Sequence, residues 1–143
     1  RATKDKPLWL AAQGFPGIAA ILPVLLSEGH HKRKLPLQRI CQLLASGPAT
    51  IFDLEPVKGR IAPGSDADFT IVDLNRERKF VPAELGSYAD YSLYENQTLK
   101  GWPVRTIVRG VTVMDNGRIV GPGGHGKYLW RRIGQPPILG KLS

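Results

Sequence analysis

Cysteine and methionine are almost missing from this sequence, with Cys41 and Met114 the single representatives among 143 residues. One cysteine makes neither an internal disulfide nor a cysteine-based zinc site. It suits a reducing compartment, so the expected location is cytoplasmic. Histidine is scarce as well, at His30, His31 and His125, and no His-x-His pair exists. No apolar run approaches the roughly 20 residues of a membrane-spanning helix, which excludes a helical membrane protein. No charged-then-apolar leader marks a secretory signal. A chain that opens on Arg1, with its one methionine deep inside, reads as a fragment of a longer polypeptide in preference to a processed chain.

What is present describes a folded domain. Hydrophobic residues make up 42% and charged residues 22%, a mixture that buries a core and excludes disorder along the whole length. Twenty Lys and Arg against twelve Asp and Glu give a net charge of +8, which raises a nucleic-acid module as one reading. The densest runs are His30-His31-Lys32-Arg33-Lys34 and Arg131-Arg132. Neither is interleaved with aromatics as a base-stacking platform requires, so solvated helix and tail surfaces are the preferred reading.

The chain runs helices first and strands afterwards. From Gly17, the spacing of Ile18, Ile21, Leu22 and Leu25 predicts an amphipathic helix, kinked or short, with Pro23 near its start and Gly29 as C-cap. Pro36 opens a second helix with Leu37, Ile40, Cys41 and Leu44 on one face. Gly47-Pro48 is expected to stop it, with one more turn over Ala49 to Leu54. From Val57 the pattern changes to short β-prone runs between Gly, Pro, Asn and Asp. Asp68 to Leu74 predicts an interior strand, with Asp66 and Asp68 bonding local backbone ahead of it. Val104–Val108 and Val111–Met114 predict further strands. Asp115-Asn116-Gly117 predicts a hairpin turn that returns through Arg118-Ile119-Val120. The expected divisions are 1–56 (mostly helical), 57–132 (strands, with a long Tyr-rich loop at 82–100) and an exposed tail at 133–143.

Three blocks carry a family resemblance. Lys58-Gly59-Arg60-Ile61-Ala62-Pro63-Gly64-Ser65-Asp66-Ala67-Asp68 with Phe69 to Asp73 resembles the segment by which amidohydrolase-superfamily enzymes re-enter their β-sandwich. Lys100-Gly101-Trp102-Pro103-Val104-Arg105 through Gly110, then Asn116-Gly117 and Gly121-Pro122-Gly123-Gly124-His125-Gly126, resembles the cyclic-amidohydrolase branch of dihydroorotases, allantoinases, hydantoinases and dihydropyrimidinases. Gly14-Phe15-Pro16-Gly17 with Leu22-Pro23-Val24, and Ser46-Gly47-Pro48-Ala49, are similar to earlier elements of the same branch. Ala19 stands where many relatives carry Glu, and Gly86 and Asn96 stand at positions often His and Gly.

The resemblance implies a mixed α and β fold. It would comprise the last helical elements of a TIM-like (β/α)8 barrel, followed by the C-terminal strands of the accessory β-sandwich. A complete barrel needs at least about 200 residues, so this chain does not hold one. The resemblance further implies a parent enzyme that opens cyclic amides by attack of a metal-bound hydroxide, with one or two Zn²⁺ ions. The family's metal ligands are a His-x-His pair, a carboxylated Lys, two more His and a late Asp. All precede the matched segment, so no catalytic residue and no metal ligand transfers to this sequence, and the chain alone is expected to be inactive and zinc-free. By the same resemblance, backbone groups of Gln13, Gly14, Phe15, Pro16 and Gly17 hold the ring, the alternative being an ordinary helix-entry turn. Expected partners are the rest of the polypeptide, further copies of the parent, and a small cyclic amide, with no membrane. The competing reading within the fold is a non-catalytic assembly homologue. Trp102 and Trp130 read as packing residues.

Overall fold

The computed structural model describes residues 7–10, 16–86 and 91–129. Helices come first and strands follow, as the sequence pattern predicts. The chain divides into two compact units, one of residues 1–34 and 72–103, the other of 35–71 and 104–143. Among the described residues no helix is long and apolar enough to cross a membrane.

In the first unit, helix α1 covers 18–32. It consists of a 3-10 turn at Ile18–Ala20, an α turn at Ile21–Val24 and wider π turns at Leu25–Lys32. Gly29 is not its C-cap. The π turns carry the hydrogen-bond ladder past that glycine, and the reversal comes at Lys34, which adopts a φ of 59° with its N–H on the His30 carbonyl at 3.1 Å. The buried face is also not the expected one. Ala20, Pro23, Leu26 and Ser27 are buried, whereas Ile18 is 89% exposed. Small side chains decide this. Ala20 packs with Phe80, Leu99 and Trp102, and Leu26 lies on Gly101, where an added Cβ would come within 2.7 Å of the Leu26 Cβ.

Phe80 is at the centre of this core. Its ring meets Tyr94 edge-on and Trp102 at a tilt, both at 6.3 Å between centroids, a spacing favourable for aromatic pairs. The Trp102 indole N–H donates to the Leu99 carbonyl at 2.8 Å, and the Arg78 guanidinium lies 5.3 Å over the Trp102 ring. Trp102 is thus a packing residue, as its sequence context suggests; Trp130 lies outside the described residues.

In the second unit, helix α2 covers 37–51, as α turns at Leu37–Cys41 and Gly47–Ile51 joined by a π turn at Gln42–Ser46. Gly47-Pro48 does not end it. Proline lacks an N–H and crowds the carbonyl four residues back, and the widened turn falls where that conflict would arise. Of the expected stripe only Ile40 is buried; Cys41 and Leu44 are exposed. Ala49 is buried against Gly59, whose φ of 89° and lack of a side chain are both required, since a Cβ there would sit 2.4 Å from that of Ala49.

Four strands form one sheet in the order β1-β2-β3-β4: Phe69–Lys79, Thr98–Val108, Val111–Asp115 and Arg118–Ile119. β1 is longer than predicted and, among the described strands, stands at the sheet edge instead of the interior. From Ile71 onward its odd-numbered residues are exposed, including Asp73, Asn75, Glu77 and Lys79, while Val72, Leu74, Arg76 and Arg78 are half-buried. Polar side chains on one face suit an edge and not a strand covered twice. Thr98–Lys100, expected in the Tyr-rich loop, opens β2, and Pro82–Leu85 forms a 3-10 turn. Two-residue turns join β2 to β3 at Arg109-Gly110 and β3 to β4 at Asn116-Gly117. All four residues have φ between 47° and 83°. The second turn is the predicted one, closed by the pairing of Asp115 with Arg118.

Candidate functional site

Of the loop singled out in the sequence, Pro16 and Gly17 are described; Gln13, Gly14 and Phe15 lie outside the described residues. Gly17 precedes the 3-10 turn of α1 at φ −141°, and its carbonyl accepts the Ala20 N–H at 2.9 Å. That φ is open to any residue, and a Cβ on Gly17 would meet none of the described residues within 4 Å. Their packing therefore does not demand glycine here. An unobstructed backbone at this point is what close approach by a ligand requires.

Pro16 and Gly17 edge an open depression of about 310 Å³, solvent-open space included, whose floor and walls include Ala19, Phe80, Leu85 and Tyr91. The described lining residues are mostly apolar, and among them there is no Asp, Glu, Lys, Arg or His. A surface of this kind suits a small neutral molecule held by shape. Ala19 is half-buried in this wall, at the position where the resemblance places Glu in many relatives.

The histidines are committed elsewhere. His31 Nε2 is 2.8 Å from the Leu74 carbonyl, and His30 packs against the His31 ring. His125 Nε2 is 2.9 Å from the Val108 carbonyl. Among the described residues no three His, Cys, Asp or Glu side chains gather as a metal-binding group. The residues described do not fit a zinc centre. In the basic run, Lys32 and Arg33 both pair with Glu28, at 2.6 and 3.4 Å. The Lys32 hydrogen bond is the largest influence on Glu28 and outweighs its desolvation, holding its carboxyl below the usual range.

A polar cluster in the second unit escaped the sequence reading. Lys58 Nζ pairs with Asp66 at 2.8 Å and with Asp68. Asp68 does not bond local backbone as expected; its second oxygen accepts the N–H of Arg109 at 2.8 Å. The Arg109 guanidinium in turn donates to the His125 carbonyl. Partial burial pushes the Asp68 pKa upward, but Lys58 and the Arg109 N–H outweigh it and leave the carboxyl below its ordinary value. Lys58 is the mirror case: burial lowers its pKa, and the hydrogen bonds it donates to Asp66 and Asp68 raise it further than that. The cluster ties segments together, which suits a structural role. A Lys ten residues before an Asp carries no signal for it, because the third member is 41 residues on.

Comparison with known proteins places these features. The amidohydrolase family model matches residues 15–114. D-phenylhydantoinase of Escherichia coli O1:K1 is 37% identical over 126 residues, which is 88% of this chain and 27% of that protein. The solved L-hydantoinase (dihydropyrimidinase) of Arthrobacter aurescens superposes with a TM-score of 0.75 at 34% identity, covering 80% of this chain and 25% of that one. A solved D-hydantoinase superposes at 0.79 with 33% identity, covering 87% and 27%. The chain spans about a quarter of the length of the relatives it matches.

Proposed function

The chain belongs to the amidohydrolase family, and from that premise we propose that it is part of a hydrolase that opens cyclic amides of the hydantoin or dihydropyrimidine type. Its role there is to close one wall of the substrate site and to supply scaffold. In this reading α1 and α2 are the last helical elements of a TIM-like barrel, and β1 to β4 belong to the accessory β-sandwich. One or two Zn²⁺ ions, with the residues that bind them, belong to other parts of a longer polypeptide, and that polypeptide assembles with copies of itself. The observation that carries the reading is the hydantoinase likeness over most of this chain, together with the unobstructed backbone at Gly17 beside a mostly apolar depression.

The chemistry is consistent with such a division. A cyclic amide presents N–H and C=O along one edge, and main-chain groups complement both without a charge that would compete for the metal or the hydroxide. Chain residues here bind and orient; no carboxylate, histidine, lysine or arginine is among those described around the depression.

The test is a titration of the isotope-labelled chain with hydantoin, dihydrouracil and, as control, an acyclic urea. The expected result is movement of the Gly17 and Ile18 amide signals with the two rings and not with the urea. Signals that stay fixed with both rings, or that move equally with all three, remove the loop from the substrate site. Incubation of the chain alone with hydantoin is expected to give no ring opening, and metal analysis no stoichiometric zinc.

A further inference from the structure

We propose that Asn116-Gly117, the turn between β3 and β4, is a site of spontaneous covalent modification, at which the Asn116 carboxamide is lost through a cyclic imide. The backbone nitrogen of Gly117 attacks the Asn116 Cγ. The N–Cγ bond forms, the Cγ–Nδ2 bond breaks, and the proton leaving the Gly117 nitrogen departs with the amide nitrogen as ammonia. Water then opens the ring at either carbonyl, leaving aspartate or isoaspartate. No oxidant, reductant or co-reactant other than water enters.

The structure separates this asparagine from the other two. The nucleophile is in each case the N–H of the following residue, so what that N–H bonds to governs its availability. After Asn75, the Arg76 N–H is held by the Asp73 carboxylate at 3.2 Å. After Asn96, the Gln97 N–H is held by the Tyr94 carbonyl at 3.1 Å. The Gly117 N–H instead donates to the Met114 thioether sulfur at 3.2 Å, a weak acceptor. Gly117 also has no side chain to block the approach.

The turn must open for the nitrogen to reach Cγ, since Asn116 and Gly117 are held at φ 48° and 83°. The turn is held by the Asn116 N–H on the Val104 carbonyl at 2.7 Å and by the Val120 and Gly121 N–H groups on the Val113 carbonyl at 2.9 and 3.1 Å, and the strand it leads into is short. β4 is two residues long, Arg118 and Ile119 are both exposed, and the β3–β4 ladder has only the pairs Met114–Ile119 and Asp115–Arg118. Modification would then weaken the turn. Aspartate adds a second carboxylate beside Asp115, which already pairs with Arg105 at 3.2 Å. Isoaspartate inserts a methylene into a two-residue turn and breaks the register that sets β4.

The experiment is incubation of the folded chain at mildly alkaline pH and body temperature, followed by peptide mapping with an isoaspartate assay. The expected result is conversion at Asn116 well ahead of any at Asn75 or Asn96. In the Asn116→Gly variant, which keeps a turn-compatible pair, no ammonia is released from that peptide. Amide hydrogen exchange at Ile119 and Val120 is expected to speed up in the converted fraction. Retention of the Asn116 amide for as long as those of Asn75 and Asn96 overturns the proposal. So does conversion confined to chain unfolded in urea. Neither result bears on cyclic-amide binding at Gly17, so the two readings stand or fall separately.

Discussion

Asp68 accepts the backbone N–H of Arg109 at 2.8 Å while its other oxygen holds Lys58, so one carboxylate fixes both the 58–68 segment and the β2–β3 turn. The neighbouring bond from the Gly110 N–H to the Ala67 carbonyl, at 2.9 Å, repeats the attachment one residue along. Asp68→Asn keeps an acceptor for the Arg109 N–H and removes the counter-charge of Lys58. It is expected to lower unfolding stability by about 1–2 kcal/mol, read from urea denaturation. No change in the midpoint would show that the charge contributes nothing.

The same pair sets a pH window. Asp68 has a lowered pKa in the folded chain, so its contribution is complete above the ordinary carboxylate value of about 4 and fades as pH falls through the folded value. Lys58 has a raised pKa, so its contribution is complete below about 10.4 and fades as pH rises through the folded value. Melting temperature is expected to show a plateau between these limits. In Asp68→Asn, the fall on the acid side is expected to become shallower.

Local chemistry was legible in the sequence and long-range chemistry was not. The Asn116-Gly117 turn and the Phe69–Leu74 strand follow from residues next to one another, and both are present. The continuation of β1 through Asn75-Arg76-Glu77-Arg78-Lys79 lies beyond the predicted strand because its stabilising contacts, such as Arg78 over Trp102, come from distant residues. Gly47-Pro48 read as a stop because a regular α-helix would end there; a π turn just before it changes the rule. At the candidate site, Pro16 and Gly17 were identifiable by resemblance, whereas the Phe80 and Leu85 wall depends on tertiary packing. Asn96 has a φ of 66°, a conformation Asn tolerates better than most residues, which fits its place at a position often Gly.

Gly101 admits no side chain. Its φ of 92° strains any L-residue, and the Leu26 Cβ is in the way. Gly101→Ala is expected to cost about 2–4 kcal/mol, seen as a lower urea midpoint and loosened Trp102 fluorescence. A shift below about 0.5 kcal/mol would mean that α1 moves aside freely.

Gly17 gives the opposite expectation. With a negative φ and empty space around its Cβ position, Gly17→Ala is expected to change stability by no more than about 0.5 kcal/mol. Ring-induced shifts at Ile18 are nonetheless expected to shrink. Unchanged binding in a stable Gly17→Ala chain would show that no ligand approaches this backbone.

The open side of β1 has a bearing on how copies of the chain treat one another when concentrated. Laid alongside a duplicate in parallel and in register, the strand would set Glu77 against Glu77, Arg78 against Arg78 and Lys79 against Lys79, each a repulsion repeated at every added layer. Fibril growth through this strand is thereby penalised by its own spelling.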